Sequence, residues 1–227
     1  QMLENLGIEL PVNHFLNVGR AYLALNREEK AAECFQKYLS KNPENQGLHF
    51  QLGMIYKKQG FLKKSVFTFR EILRKDNSNT TVKFELANAL FEDRNLQESK
   101  EILEELLSIK PYHTAGRELL AKIHYKKGEN RSAMEILDQL LKANPDNVEA
   151  RLMQARLFRS EGMLEEACGL YEELFRKTRS EEYLLELGVL NLKLNRKHTA
   201  LKHLRQLADT PESKSRFTRM AKSLLKR

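Results

Sequence analysis

The chain has 227 residues, 41% of them hydrophobic and 31% charged, with 10 Gly, 5 Pro and a formal net charge of +8. That apolar content excludes a disordered chain, and the lack of any apolar run of about eighteen residues excludes a membrane-spanning helix. The positive balance favours an acidic partner, although excess charge is also a common route to solubility.

In chain order, residues 1–10 read as the tail of a helix, because Met2, Leu3 and Leu6 are helically spaced and Pro11 stops them. Gln1 in place of an initiating Met points to a piece of a longer chain, and no secretory signal is visible. From Val12 onward the chain repeats itself. Gly19, Gly53, Ala87, Ala121 and Ala155 are spaced by 34 residues, and a last step of 33 reaches Gly188. Placing these residues at position 8 divides the chain into six units, 12–45, 46–79, 80–113, 114–147, 148–180 and 181–211.

The columns of this alignment have physical meaning. Position 7 reads Val18, Leu52, Leu86, Leu120, Gln154 and Leu187, and position 11 reads Tyr22, Tyr56, Leu90, His124, Phe158 and Asn191. With position 8 these form the buried stripe of a first helix. Position 20 is always small (Ala31, Ser65, Ser99, Ala133, Ala167, Ala200), and position 24 is always large and apolar (Phe35, Phe69, Leu103, Leu137, Tyr171, Leu204). These belong to a second helix, and a small residue at 8 meeting a small residue at 20 lets the two backbones approach. Position 15 holds Asn26, Gly60, Arg94, Gly128, Gly162 and Asn195. Gly and Asn tolerate the left-handed conformation that ends a helix in a tight turn. Pro43, Pro111 and Pro145 share position 32 and stop the second helix. Beyond Pro211, Phe217, Met220, Ala221, Leu224 and Leu225 line one side of a last basic amphipathic helix over 212–227. Such a helix can cap the end of a stack or lie on a membrane, and the cap is the preferred reading.

This pattern resembles the tetratricopeptide repeat family over residues 12–211. The resemblance implies an all-α, right-handed α-solenoid of helix-turn-helix repeats, in which 212–227 is the capping helix. The family's frequent Trp at position 4 is absent. That position reads Phe15, His49, Lys83, Arg117, Arg151 and Leu184, where the basic side chains can bury their stems and keep the charge in water.

Catalytic and metal motifs are missing. There is no Gly-rich phosphate loop, Cys-x-x-Cys or His-Glu-x-x-His, and no cofactor is implied. His49 and His124 fall in packing columns and read as hydrogen-bonded core residues. The pairs Glu104–Glu105 and Glu172–Glu173 fall on second-helix faces toward solvent. Cys34 and Cys168 lie four repeats apart, too far for a disulfide, and unpaired thiols favour a reducing compartment. An enzyme is not expected.

The family resemblance assigns first helices to a concave groove and second helices to the convex side. Positions 5, 9 and 12 then face the groove. Phe50, Met54, Phe84 and Phe91 make an apolar, aromatic half, joined by Lys57. Lys122, Arg156 and Arg159 make a basic half, with Asn88 and Tyr125 between the two. Aromatic residues and Arg are the usual energetic anchors of interfaces, and Asn88 can hold a peptide backbone through both ends of its amide. The expected function is a scaffold or adaptor that binds a protein segment with apolar anchors and acidic residues. The competing readings are a nucleic-acid-binding helical repeat, from the charge and the Tyr/Arg/Lys content of the groove, and a self-associating assembly module. The residues by which some family members clamp the C-terminal carboxylate of chaperones are not found in any three consecutive units. Position 6 (Asn17, Gln51, Glu85, Leu119, Met153, Glu186) forms no asparagine ladder.

Overall fold

The computed structural model describes residues 11–209 and 215–225, and the helix tail expected over 1–10 lies outside them. Among the described residues there are thirteen helices and no strand. The six repeats contribute α1 (Val12–Ala24) and α2 (Glu28–Lys41), α3 (Gln46–Lys58) and α4 (Leu62–Lys75), α5 (Thr80–Glu92) and α6 (Leu96–Ile109), α7 (Thr114–Lys126) and α8 (Asn130–Ala143), α9 (Val148–Ser160) and α10 (Leu164–Thr178), and α11 (Glu181–Lys193) and α12 (Lys197–Ala208). The last helix, α13, spans Arg216–Leu225. The chain forms two compact units, Gln1–Gly116 and Arg117–Arg227.

Each first helix ends in the same way. The position-15 residue is left-handed in all six repeats: Asn26 (φ 55°), Gly60 (78°), Arg94 (65°), Gly128 (75°), Gly162 (81°) and Asn195 (57°). The amide of the next residue then donates back to the carbonyl at position 11, as in Arg27 to Tyr22 (2.8 Å), Phe61 to Tyr56 (2.8 Å) and Met163 to Phe158 (2.9 Å). This closure satisfies a carbonyl that the helix end would otherwise leave without a partner. Arg94 makes the same turn with a Cβ, which the left-handed region disfavours.

Inside each repeat the small columns meet as expected. The hydroxyls of Ser65 and Ser99, at position 20, donate to the position-8 carbonyls of Gly53 (2.9 Å) and Ala87 (2.6 Å). A side chain can reach the facing backbone in this way only where nothing bulky intervenes. The large residue at position 24 fills the rest of the space. A Cβ on Gly53 would lie 2.7 Å from the Phe69 ring, and one on Gly188 would lie 2.6 Å from Leu204. Repeats one and two pair Gly with Phe35 and Phe69, whereas repeats three and four pair Ala with Leu103 and Leu137. Volume is thus traded between the two columns in these four repeats, whereas repeat five pairs Ala155 with Tyr171 and repeat six pairs Gly188 with Leu204.

In the first unit, Phe35, Leu39, Leu52 and Ile55 form one buried cluster, and Phe69, Ile72, Leu86 and Leu90 form another. In the second unit the core runs from Leu137 and Leu157 through Tyr171 and Leu187 to Leu204 and Leu207. Phe217, Leu224 and Leu225 of α13 pack on this last cluster, so the apolar side of the terminal helix is covered by α11 and α12.

The position preceding four of the six first helices, α3, α5, α7 and α9, carries a side-chain cap, whereas Pro11 and Ser180 before α1 and α11 provide none. Asn45, Asn79 and Asn147 accept from the amides of Leu48 (3.0 Å), Val82 (3.1 Å) and Ala150 (3.0 Å), and His113 Nδ1 accepts from Gly116 (2.9 Å). The residues at position 4 do something else again. His49, Lys83 and Arg151 each bind the loop six residues earlier, at the Pro43 carbonyl (3.1 Å), Asn77 Oδ1 (3.1 Å) and the Pro145 carbonyl (3.0 Å). Lys83 corrects the expectation of a solvated charge: its side chain is 2% exposed, and its ammonium pairs with Glu105. Glu173 pairs with Arg151 in the same way at 3.7 Å. Glu105 and Glu173 are therefore ion-pair partners; Glu104, Glu105 and Glu172 are exposed as expected, and Glu173 is half-buried.

Two stability outcomes follow from these contacts. Gly53→Ala is expected to destabilise the first unit by about 1–2 kcal/mol, because overpacking against Phe69 outweighs the helix propensity that Ala gains. Gly53→Ala combined with Phe69→Leu recreates the pairing of repeat three and recovers most of that loss, which urea unfolding of the four members of the cycle will measure. Arg94→Gly is expected to stabilise by about 0.5–1 kcal/mol by removing the left-handed strain, and thermal melting checks this.

Candidate partner-binding faces

The first-helix face of the first unit is set by α3 and α5. Phe50 packs its ring against Phe69 (centroids 5.8 Å apart), and Phe50 and Met54 both lie against the buried cluster. These two residues therefore also serve the core, contrary to the expectation that their columns are free of it. Phe84, Asn88 and Phe91 stand at i, i+4 and i+7 on α5 and are half-buried. Phe84 lies against His113, with centroids 5.2 Å apart. The Asn88 amide makes no side-chain hydrogen bond with any described residue. Lys57 pairs with Glu85 of the next repeat, both largely shielded from solvent.

In the second unit the face is set by α7, α9 and α11. Tyr125 packs against the cluster containing Met153 and Leu157. Lys122 pairs with Glu149 at 2.6 Å, Arg156 with Glu182 at 3.2 Å, and Arg159 with Glu186 at 2.6 Å. The expected basic half is therefore compensated, and the structure corrects it to a row of ion pairs. The pairing follows a rule. A cation at position 9 meets the carboxylate at position 2 of the next repeat, and a cation at position 12 meets the carboxylate at position 6. Lys57–Glu85 in the first unit obeys the same rule. Within each unit, successive first helices lie side by side, one repeat apart, which places these positions opposite each other. Sequence reasoning passed over Glu85 and Glu186 because they were read only as a failed asparagine ladder.

Electrostatics and burial at the second face reinforce each other. The hydrogen bond to Glu186, opposed by burial, holds the proton on Arg159 more firmly than usual. Below the ion pairs, burial pushes the Tyr171 phenol up to about 12, helped by Glu186 and opposed by Arg159. Tyr171 packs on Tyr183 with centroids 6.1 Å apart. Burial also raises the Cys168 thiol, and neither Cys34 nor Cys168 forms a disulfide among the described residues. His49 donates to the Pro43 carbonyl, and His124 Nδ1 donates to Glu129. Among the described residues, no group of three or more His, Cys, Asp or Glu side chains is arranged to hold a metal ion. No helix of the described residues is long and apolar enough to cross a membrane.

Paired helices joined by left-handed turns, repeated six times around small-residue contacts, define an all-α helical-repeat protein of the solenoid class. Comparison with known proteins agrees. Tetratricopeptide repeat models match residues 15–45 and 90–157. A solved tetratricopeptide repeat protein from Parabacteroides merdae superposes with a TM-score of 0.80 at 18% identity, covering 95% of this chain and 85% of that one. YrrB, a TPR protein with an unusual peptide-binding site, superposes with a TM-score of 0.60 at 20% identity, covering 85% of this chain and 99% of that one. Over 51 residues the chain is 41% identical to anaphase-promoting complex subunit CDC16 of Saccharomyces cerevisiae, a match spanning 22% of this chain and 6% of that subunit. The chain belongs to the tetratricopeptide repeat family.

The Tyr171 phenol gives a pH signature. Its folded value lies above the ordinary value of about 10, so its contribution to stability is complete below that pH and is lost as pH rises toward 12. The loss attributable to this group is about 2–3 kcal/mol at most. Urea unfolding of wild type and Tyr171→Phe from neutral to strongly alkaline pH is expected to show a shallower alkaline decline in the variant.

Proposed function

We infer that this chain is an interaction scaffold built from repeats, a class that is typically non-catalytic. We propose that this chain binds a segment of another protein on its first-helix faces, through Phe50, Met54, Lys57, Phe84, Asn88 and Phe91 in the first unit and Lys122, Tyr125, Arg156 and Arg159 in the second. The observation that carries the reading is on α5. An amide with no side-chain hydrogen bond among the described residues, Asn88, sits between two half-buried aromatic side chains one turn away on either side. A peptide backbone satisfies that amide at both ends while its apolar side chains pack on Phe84 and Phe91. The peptide-binding site of YrrB supports a peptide as the kind of occupant.

The ion pairs refine the chemistry of the partner. Glu149 and Glu182 are partly exposed, so an incoming carboxylate can exchange with them at Lys122 and Arg156. Such an exchange keeps the charge count and costs little beyond geometry, which favours an acidic segment. Phosphate backbones bind through uncompensated cations, and here each cation already has a carboxylate, which favours protein over nucleic acid. Self-association through the terminal helix is disfavoured because α13 is packed against its own chain.

The test is affinity capture from cells with wild type and with the Phe84→Ala, Arg156→Ala double variant, each checked for an unchanged helical circular dichroism spectrum. A protein retained by wild type and depleted about tenfold or more with the double variant is expected, as for loss of interface anchors. Equal capture by both overturns the reading. The two single variants then assign the loss to one unit or the other.

A further inference from the structure

The second-helix side of the first unit carries a cavity of about 570 Å³ between α2, α3 and α4. Leu39 and Leu52 are part of its lining, together with the ring of Tyr56, whose hydroxyl accepts a hydrogen bond from Gln36 Nε2. Its wall includes Phe67, which is 63% exposed and so contributes little to the core. Phe67 occupies position 22 of its repeat. The other five repeats carry Glu33, Glu101, Glu135, Gly169 and Lys202 there. Position 22 is therefore an outward position that carries a charged residue in four of the six repeats, Gly in repeat five, and a large apolar side chain in repeat two alone.

The charge around the cavity differs from that on the first-helix faces. Lys63 and Lys64 line it, and neither forms an ion pair with any described residue. Instead, the Lys64 ammonium sits 5.6 Å from the Tyr56 ring centroid and 5.2 Å from that of Phe61, which is 50% exposed. The one carboxylate in the lining, Glu71, is matched by Arg74. The surface is thus aromatic and uncompensated in positive charge, whereas Lys57, Lys122, Arg156 and Arg159 are each neutralised internally.

We propose that this cavity is a second docking site, distinct from the first-helix faces, for a partner peptide segment carrying one large apolar side chain flanked by Asp or Glu. The apolar side chain seats against Phe67, Tyr56 and Leu39, and the flanking carboxylates pair with Lys63 and Lys64. Charge complementarity selects this occupant over a neutral or basic one. The seated apolar side chain supplies most of the affinity, because Phe67, exposed in the free chain, loses water only when it is covered.

The experiment pans a random peptide library against the full chain, with Phe67→Glu as the counter-selected protein. Phe67→Glu introduces the residue that repeats one, three and four carry at this position, and it alters an exposed side chain, so the fold is retained. Enriched peptides are expected to be acidic with a central aromatic or long aliphatic residue. Their binding, read by fluorescence anisotropy, should weaken about tenfold or more with Phe67→Glu and with the Lys63→Glu, Lys64→Glu double variant. It should be unchanged by Phe84→Ala. No enrichment, equal binding to Phe67→Glu, or enrichment of basic peptides overturns the proposal. A mass that rises with concentration in light scattering for wild type but not for Phe67→Glu gives the face to a second copy of the chain and overturns it as well. So does peptide binding that requires removal of residues 1–10, since the chain then covers its own cavity.

Discussion

Two helices approach only as closely as the side chains between them permit, and in each repeat that limit is set at one crossing. Position 8 of the first helix faces position 20 of the second, and both are small in all six repeats. The contact is close enough for the Ser65 and Ser99 hydroxyls to reach the facing backbone. The large residue at position 24 then covers the crossing. The left-handed turn at position 15 delivers the second helix to this crossing. The buried stripes at positions 7, 11 and 24 follow from it, because a helix pair held at that distance leaves those side chains no other place to pack.

Polar groups then fix each repeat to its surroundings. Position 4, where the family often carries Trp, is used here by His49, Lys83 and Arg151 to hold the preceding loop. The buried Lys83 ammonium shows why this works only as a set. Without Asn77 and Glu105 its charge would be left in a low-dielectric interior, where an unpaired ion is costly. On the first-helix faces, carboxylates of one repeat neutralise cations of the one before. A surface that reads as basic in the sequence is electrostatically a row of closed pairs, partly exposed and open to exchange.

The two sides of the repeats therefore differ in kind. First-helix faces combine half-buried aromatics with satisfied ion pairs, and the Asn88 amide there has no side-chain hydrogen bond among the described residues. The second-helix cavity of the first unit combines an exposed aromatic ring with lysines that lack carboxylate partners. A repeat architecture permits this division because its core needs only a few columns, and the remaining positions vary without disturbing the helix pair.

Sequence alone determined the repeat boundaries, the all-α class, the left-handed turns and the identity of the packing columns. These features recur with a fixed period, and each has a local cause in helix periodicity or in the steric demands of a turn. Arg94 was legible as a turn residue from its column even though its own chemistry argues against it. The tertiary structure decided what distance in three dimensions decides. It paired Lys122 with Glu149 and Arg159 with Glu186, each 27 positions apart in the sequence, and it buried Lys83. It set Phe50 on Phe69, and it left Phe67 facing solvent beside a cavity. Charge in a sequence is a count, whereas charge at a site depends on which carboxylate stands opposite, and only the packing of one repeat against the next supplies that.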